Sequence, residues 1–153
     1  MIHPLAIKAI LVDMQTRIAT INKNELVVDD SQLTKSLEAL KVSENFLLLG
    51  MIPEYQLQGT QDSLKYNSQL MFMFLKKTNS KNTSPKELND ILQETLQAAK
   101  EFMEILLSEK SGDEGDFCGL ANELNENSIR IYPIWNKSEC NGWGLDIDLL
   151  SNV

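Results

Sequence analysis

Between Ser84 and Lys110, apolar residues fall at Leu88, Ile91, Leu92, Leu96, Ala99, Phe102, Met103 and Leu106. That spacing is helical and draws one continuous stripe. The opposite face reads Lys86, Glu87, Asp90, Gln93, Glu94, Gln97, Lys100, Glu101 and Glu104. Ser84 stands where an N-cap belongs, Pro85 takes the first helical position, and Glu87 completes a capping box. Gly112 is the expected stop. At 1.5 Å per residue such a rod is roughly 35–40 Å long. A helix with one apolar stripe must bury it, and a sheet is the expected partner.

The rest of the chain supplies one. Pro4–Ile21 reads as a first helix, with Ile7, Ile10, Leu11, Met14, Ile18 and Ile21 on one face. Asn22-Lys23-Asn24 breaks it. Glu25–Asp30 holds a short strand candidate at Leu26-Val27-Val28. Ser31–Lys41 reads as a short helix capped by Ser31, with Leu33, Leu37 and Leu40 inward. Phe46-Leu47-Leu48-Leu49 is continuously apolar, which predicts a strand buried on both faces. Gly50 and Pro53 bend or end it, and Tyr55–Gln58 continues past the bend. Gln58–Asn67 reads as a loop. In Ser68–Lys77, Leu70, Phe72 and Phe74 share one face while Met71, Met73 and Leu75 share the other, so this strand too is expected at the centre. Thr78–Ser84 and Ser111–Asp116 are polar loops, and Phe117–Glu126 is a short helix or an irregular crossing.

The C-terminal part has period two. Ile129, Ile131, Pro133 and Trp135 alternate with Arg130, Tyr132 and Ile134. Trp143, Leu145, Ile147 and Leu149 alternate with Gly144, Asp146 and Asp148. An antiparallel hairpin follows, turning near Asn141-Gly142, with Trp135 and Trp143 on its core face and Asp146 and Asp148 on a wet face. Pro133 puts its strand near an edge or at a bulge. The expected fold is α+β: one domain over residues 1–153, a small, mostly antiparallel sheet packed by an N-terminal helix and a long central helix, closed by a hairpin.

Charge changes the picture more than composition does. The net charge is −8. Residues 1–86 carry ten Lys and Arg against eight acids, while residues 87–153 carry four against fourteen. Such a chain is a poor general binder of nucleic acid, which needs clustered Lys and Arg. The longest apolar run, Phe46–Ile52, is too short to cross a bilayer. No basic leader precedes the first helix, so no signal peptide is expected. Cys118 and Cys140 lie far apart without CxxC spacing, which reads as two reduced, partly buried thiols.

Catalytic patterns are hard to find. His3, the lone histidine, sits beside Pro4 and reads as a helix-entry residue. Gly142-Trp143-Gly144 lacks the third glycine and the helix of a dinucleotide loop. Asp146 and Asp148, with Glu139 nearby, would suit a divalent ion on a regular strand, but a solvated strand face is the favoured reading. Asp113, Glu114 and Asp116 fail the calcium-loop pattern, since Gly115 stands where an acid belongs. No catalytic, cofactor or metal residue is therefore assigned. Lys76, Lys77, Lys81 and Lys86 form the one basic concentration, and Lys77 at a strand end also fits edge protection. Tyr55 and Tyr132 are candidate exposed aromatics.

The order of these elements resembles small structural proteins of tailed bacteriophages and prophages, of the tail-completion, tail-terminator or head–tail connector type. The resemblance runs through Pro4–Ile21, the strands near Phe46–Ile52 and Leu70–Leu75, and the helix ending in Phe102-Met103-Glu104-Ile105-Leu106. It closes on Ile129–Trp135, Asn141-Gly142-Trp143 and Asp146-Ile147-Asp148-Leu149. It implies a non-enzymatic, ring-forming virion subunit, assembled in the bacterial cytoplasm against portal, connector or tail proteins, without cofactor, membrane or sequence-specific nucleic acid. In that setting Lys76, Lys77, Lys81, Tyr55 and Tyr132 are the expected interface residues. The alternative is a small acidic adaptor or immunity-type protein that binds a basic partner. A metal-dependent hydrolase built on Asp146 and Asp148 is a distant third.

Overall fold

A computed structural model describes residues 1–60, 62–79, 82–111 and 122–152. The expectations placed on Lys81, Gly112, Asp113, Glu114, Asp116, Cys118 and the Phe117–Leu120 segment lie outside the described residues. In chain order the elements are α1 (Pro4–Arg17), β1 (Lys23–Val27), α2 (Asp30–Ala39), β2 (Leu47–Met51), β3 (Tyr55–Gln58), β4 (Lys65–Lys77), α3 (Pro85–Ser111), β5 (Leu124–Lys137) and β6 (Cys140–Asn152). This is the α+β arrangement expected, with a six-stranded sheet ordered β1-β2-β4-β6-β5 and β3 also paired to β4. All pairs are antiparallel except β1–β2, which α2 connects as a crossover.

The sheet has two apolar faces, and the two-sided strands explain why. Leu48 of β2, Leu70, Phe72 and Phe74 of β4, and Leu145, Ile147 and Leu149 of β6 meet α1 and α3. Phe102 of α3 meets Phe72 at a tilt of 48° and Phe74 edge-on, with ring centroids 4.8 and 5.5 Å apart. On the other face Leu47, Leu49, Met73, Leu75, Ile134 and Cys140 meet Val27 and the inward leucines Leu33, Leu37 and Leu40 of α2. Each alternation read in β4 thus serves a different helix layer.

The helix starts follow their caps. Ser84 and Glu87 form the reciprocal box at α3: the Ser84 N–H donates to the Glu87 carboxylate at 2.7 Å, and the Glu87 N–H to Ser84 Oγ at 3.2 Å. At α2 the cap is Asp29 rather than Ser31, its carboxylate accepting from the Gln32 N–H at 2.8 Å. His3 caps α1 through Nδ1, which accepts the Leu5 N–H at 3.3 Å. α1 ends at Arg17, four residues short of the expected Ile21, because Ile18 turns out to φ −102°, ψ 98°. Ile18 and Ile21 are nevertheless buried, so core contact carries the apolar period beyond the helix.

Two strand expectations change. β4 begins at Lys65, inside the supposed Gln58–Asn67 loop, because Lys65–Ser68 is held from both sides, by β3 and by the end of β6. Lys77 does not guard an edge, since β4 is the central strand and Lys77 pairs with Cys140. β5 is an edge, as Pro133 suggested.

Candidate protein–protein interface

The hairpin closes at Ser138-Glu139, not at Asn141-Gly142. Lys137 and Cys140 flank the turn, and Ser138 and Glu139 have φ of 50° and 62°, the left-handed pair that a two-residue primed turn requires. Gly142 lies within β6, packed so close to β4 that a Cβ there would collide with the Phe74 carbonyl. Between Ile134 and Lys137 the register of β5 slips by one residue. Trp135 and Asn136 oppose Asn141 alone, and Asn136 adopts φ 52°. This is a bulge, and a bulge re-aims the side chain it carries.

Trp135 sits in this bulge. Alternation put it in the core beside Trp143; it stands 76% exposed. Trp143 keeps the inward place, half-buried, its Nε1–H donating to the Leu92 carbonyl of α3 at 2.8 Å. Buried polar groups fix the bulge that separates the two rings. The Asn136 N–H donates to Asn141 Oδ1 at 2.7 Å, and Asn141 Nδ2 donates to Thr78 Oγ1 at 2.8 Å. Thr78 donates through its N–H and its hydroxyl to the Glu139 carbonyl, at 2.7 and 3.0 Å. Asn141 is 4% exposed and Thr78 9%, so this network sits under the surface while the indole sits on it. Beside the indole runs a groove of about 440 Å³ walled by Thr83, Ser84, Pro85 and Leu88 at the start of α3.

The wet face expected for Asp146 and Asp148 is also corrected. Asp146 is 4% exposed. Arg130 donates to its Oδ2 at 2.7 Å and the Tyr132 hydroxyl to its Oδ1 at 3.0 Å. Burial first, then the Asp146 charge, pushes the Tyr132 hydroxyl up to about 12. The Arg130 guanidinium is raised above its ordinary value, chiefly by its hydrogen bond to Asp146. Asp146 is thus engaged by a cation and a hydroxyl. The Asp148 N–H donates to Ser128 Oγ at 2.8 Å, and among the described residues no three His, Cys, Asp or Glu converge as metal ligands.

The remaining candidates separate. Lys76 pairs with Glu94 at 2.9 Å. Lys77 Nζ donates to the carbonyls of Leu37, Glu38 and Leu40, at 3.3, 2.9 and 3.4 Å, and so satisfies the C-terminal end of α2. Both lysines line an open groove of about 460 Å³ with Glu87, Asp90 and Glu94. Tyr55 is exposed on β3, its hydroxyl donating to the Ile2 carbonyl at 2.7 Å beside the start of α1. Tyr132 is half-buried in the Asp146 cluster. Tyr55 and Tyr132 lie on opposite sides of the central strand pair, so the proposed interface residues do not form one patch. Cys140 is buried, and burial pushes its thiol up to about 11.

One surface escaped the sequence reading altogether. α1 carries a second apolar line, Leu5-Ala9-Val12, opposite its core stripe. Leu5 is 73% exposed, Val12 is exposed, and so is Ala9. The signal was present as spacing i, i+4, i+7, hidden by the stronger inward set.

Neither a protein-family model nor a curated protein matches the chain. Among the described residues no helix is long and apolar enough to cross a membrane.

Proposed function

We propose that this chain is a non-enzymatic structural subunit that binds copies of itself and stands as a ring at the head–tail joint or tail end of a tailed-phage virion. The observation that carries the binding role is Trp135. A large aromatic, 76% exposed, stands on the edge strand of the sheet in a bulge that a buried Thr78–Asn141 network ties down through Asn136. Desolvating an indole is among the strongest single contributions a residue makes to association. The phage assignment is supported by the order of elements that resembles tail-completion and connector proteins. Portal, connector or tail proteins are the neighbours this reading supplies.

The test is the mass of the full chain by sedimentation, from micromolar to near-millimolar concentration. A closed oligomer of fixed multiplicity is expected. A monomer throughout would remove the self-binding reading and leave the adaptor one, in which the acidic outer face of α3 meets a basic partner. Neighbouring genes for portal and capsid proteins are the second expectation.

A further inference from the structure

We infer that Asn141-Gly142 is a deamidation site that the fold holds silent, and that opening of the β5–β6 hairpin end releases it. Asn-Gly occurs once in the chain. A glycine carries no side chain, so its backbone nitrogen approaches the preceding amide with the least obstruction. In the reaction the Gly142 nitrogen attacks Asn141 Cγ. An N–C bond forms, the Cγ–Nδ2 bond breaks, and Nδ2 leaves as ammonia with the proton of the Gly142 N–H. Water then opens the five-membered imide. Attack at the side-chain carbonyl gives aspartate, and attack at the main-chain carbonyl gives an isoaspartyl link with one extra carbon in the main chain. Water is the only co-reactant.

The groups this reaction must move are tied down. Asn141 Oδ1 accepts the Asn136 N–H at 2.7 Å, and Nδ2, the leaving group, donates to Thr78 Oγ1 at 2.8 Å. The attacking nitrogen belongs to a backbone paired on both sides, with Gly142 opposite Leu75 of β4 and Ile134 of β5. Ring closure requires Asn141 to leave its strand conformation and its amide to give up both partners, so the rate follows the population of the open hairpin end. β5 is an edge strand, its register slips between Ile134 and Lys137, and Asn136, Ser138 and Glu139 hold φ of 52°, 50° and 62°. These are features of a segment that opens ahead of the sheet centre. Once reacted, the end does not close as before. An ionised aspartate only accepts. At position 141, 4% exposed, it would face Thr78 Oγ1, whose proton is committed to the Glu139 carbonyl at 3.0 Å. Lys76, opposite in the ladder, is already paired with Glu94. The isoaspartyl form adds a carbon beside Gly142, where the Phe74 carbonyl leaves no room for a Cβ. Reaction therefore retires a copy that has opened, and with it the bulge that carries Trp135.

The experiment keeps the full chain in mildly alkaline buffer, folded and in urea, and follows Asn141 by peptide mass and by detection of isoaspartate. In urea Asn141 is expected to react before every other asparagine, and in the folded protein about 100-fold more slowly. Thr78→Val keeps the shape and the backbone bond to Glu139 but withdraws the acceptor from Nδ2. It is expected to speed the folded reaction about tenfold and to leave the urea rate unchanged, while Thr78→Ser returns the wild-type rate. Asn141→Asp is expected to unfold at lower urea than wild type. Equal rates folded and in urea, or another asparagine reacting first in urea, would overturn the inference. So would a folded Thr78→Val chain as slow as wild type. A wild-type midpoint in Asn141→Asp would overturn it too, since the hairpin end would then close over the product. The wild-type comparison needs no variant and decides alone if Thr78→Val does not fold.

Discussion

A carboxylate enclosed on a sheet face is tolerable only if its oxygens are paired, and both oxygens of Asp146 are: one by Arg130, one by Tyr132. Asp146→Ala leaves the Tyr132 hydroxyl half-buried without its acceptor, and is expected to cost about 2 kcal/mol in urea unfolding. The same cluster gives a pH signature. Tyr132 holds its proton up to about 12 when folded, but near its ordinary value when unfolded, so the unfolded chain releases a proton first. Its contribution is complete below pH 10 and is lost as pH rises towards 12. Cys140, raised to about 11 by burial, adds a loss that begins near pH 9. Unfolding midpoints are therefore expected to fall from pH 9 upward, and the part of the fall above pH 10 to shrink in Tyr132→Phe. A flat profile over that range would show that neither group is held neutral by the fold. None of this was legible from alternation, which puts Asp146 in water. Alternation reports which face a residue occupies, but not that β5 would lay an arginine and a tyrosine over it.

The elements divide by what specifies them. α3 was readable almost entirely because its cap, stripe and polar face are local. The two-sided character of β2 and β4 was readable because continuous apolar runs have one economical explanation. The extension of β4 to Lys65 was not, because Lys65-Tyr66-Asn67 is strand only through its neighbours. The hairpin misled for a physical reason. Asn-Gly commonly forms a turn, yet Gly142 is needed elsewhere, where the Phe74 carbonyl leaves no room for a side chain. Gly142→Ala is thus expected to destabilise the chain by roughly 3 kcal/mol by forcing β6 off β4, whereas a turn glycine in an exposed hairpin end would cost far less. At the other end of the scale, Ser84→Ala removes one half of the α3 box and is expected to cost about 1 kcal/mol, read as a lower urea midpoint without altered assembly. The candidate site was half legible. Tyr55 is exposed as expected, but Trp135, expected in the core, is exposed within the one-residue slip between Ile134 and Lys137, which alternation does not foresee.

At the scale of the whole molecule, the lysines and the tryptophan offer competing routes to assembly, and the fold separates them. Lys76 and Lys77 are already spent on Glu94 and on the end of α2. Reversing their charge would therefore weaken the fold itself, so assembly lost in such a variant would say little about a contact. Trp135 is free of that confusion, and the chain supplies its own reporter. It has two tryptophans, one anchored to Leu92 and one in water. Trp143→Phe removes one hydrogen bond from a half-buried ring, a loss of about 1 kcal/mol that the fold should survive. The remaining emission then comes from Trp135 alone. Dilute protein is expected to emit as a water-exposed indole, and the emission should move to the blue with rising concentration along the same curve as the mass. An emission that stays fixed while the mass rises would place the contact away from β5, because an indole enclosed between subunits cannot keep the spectrum of one in water.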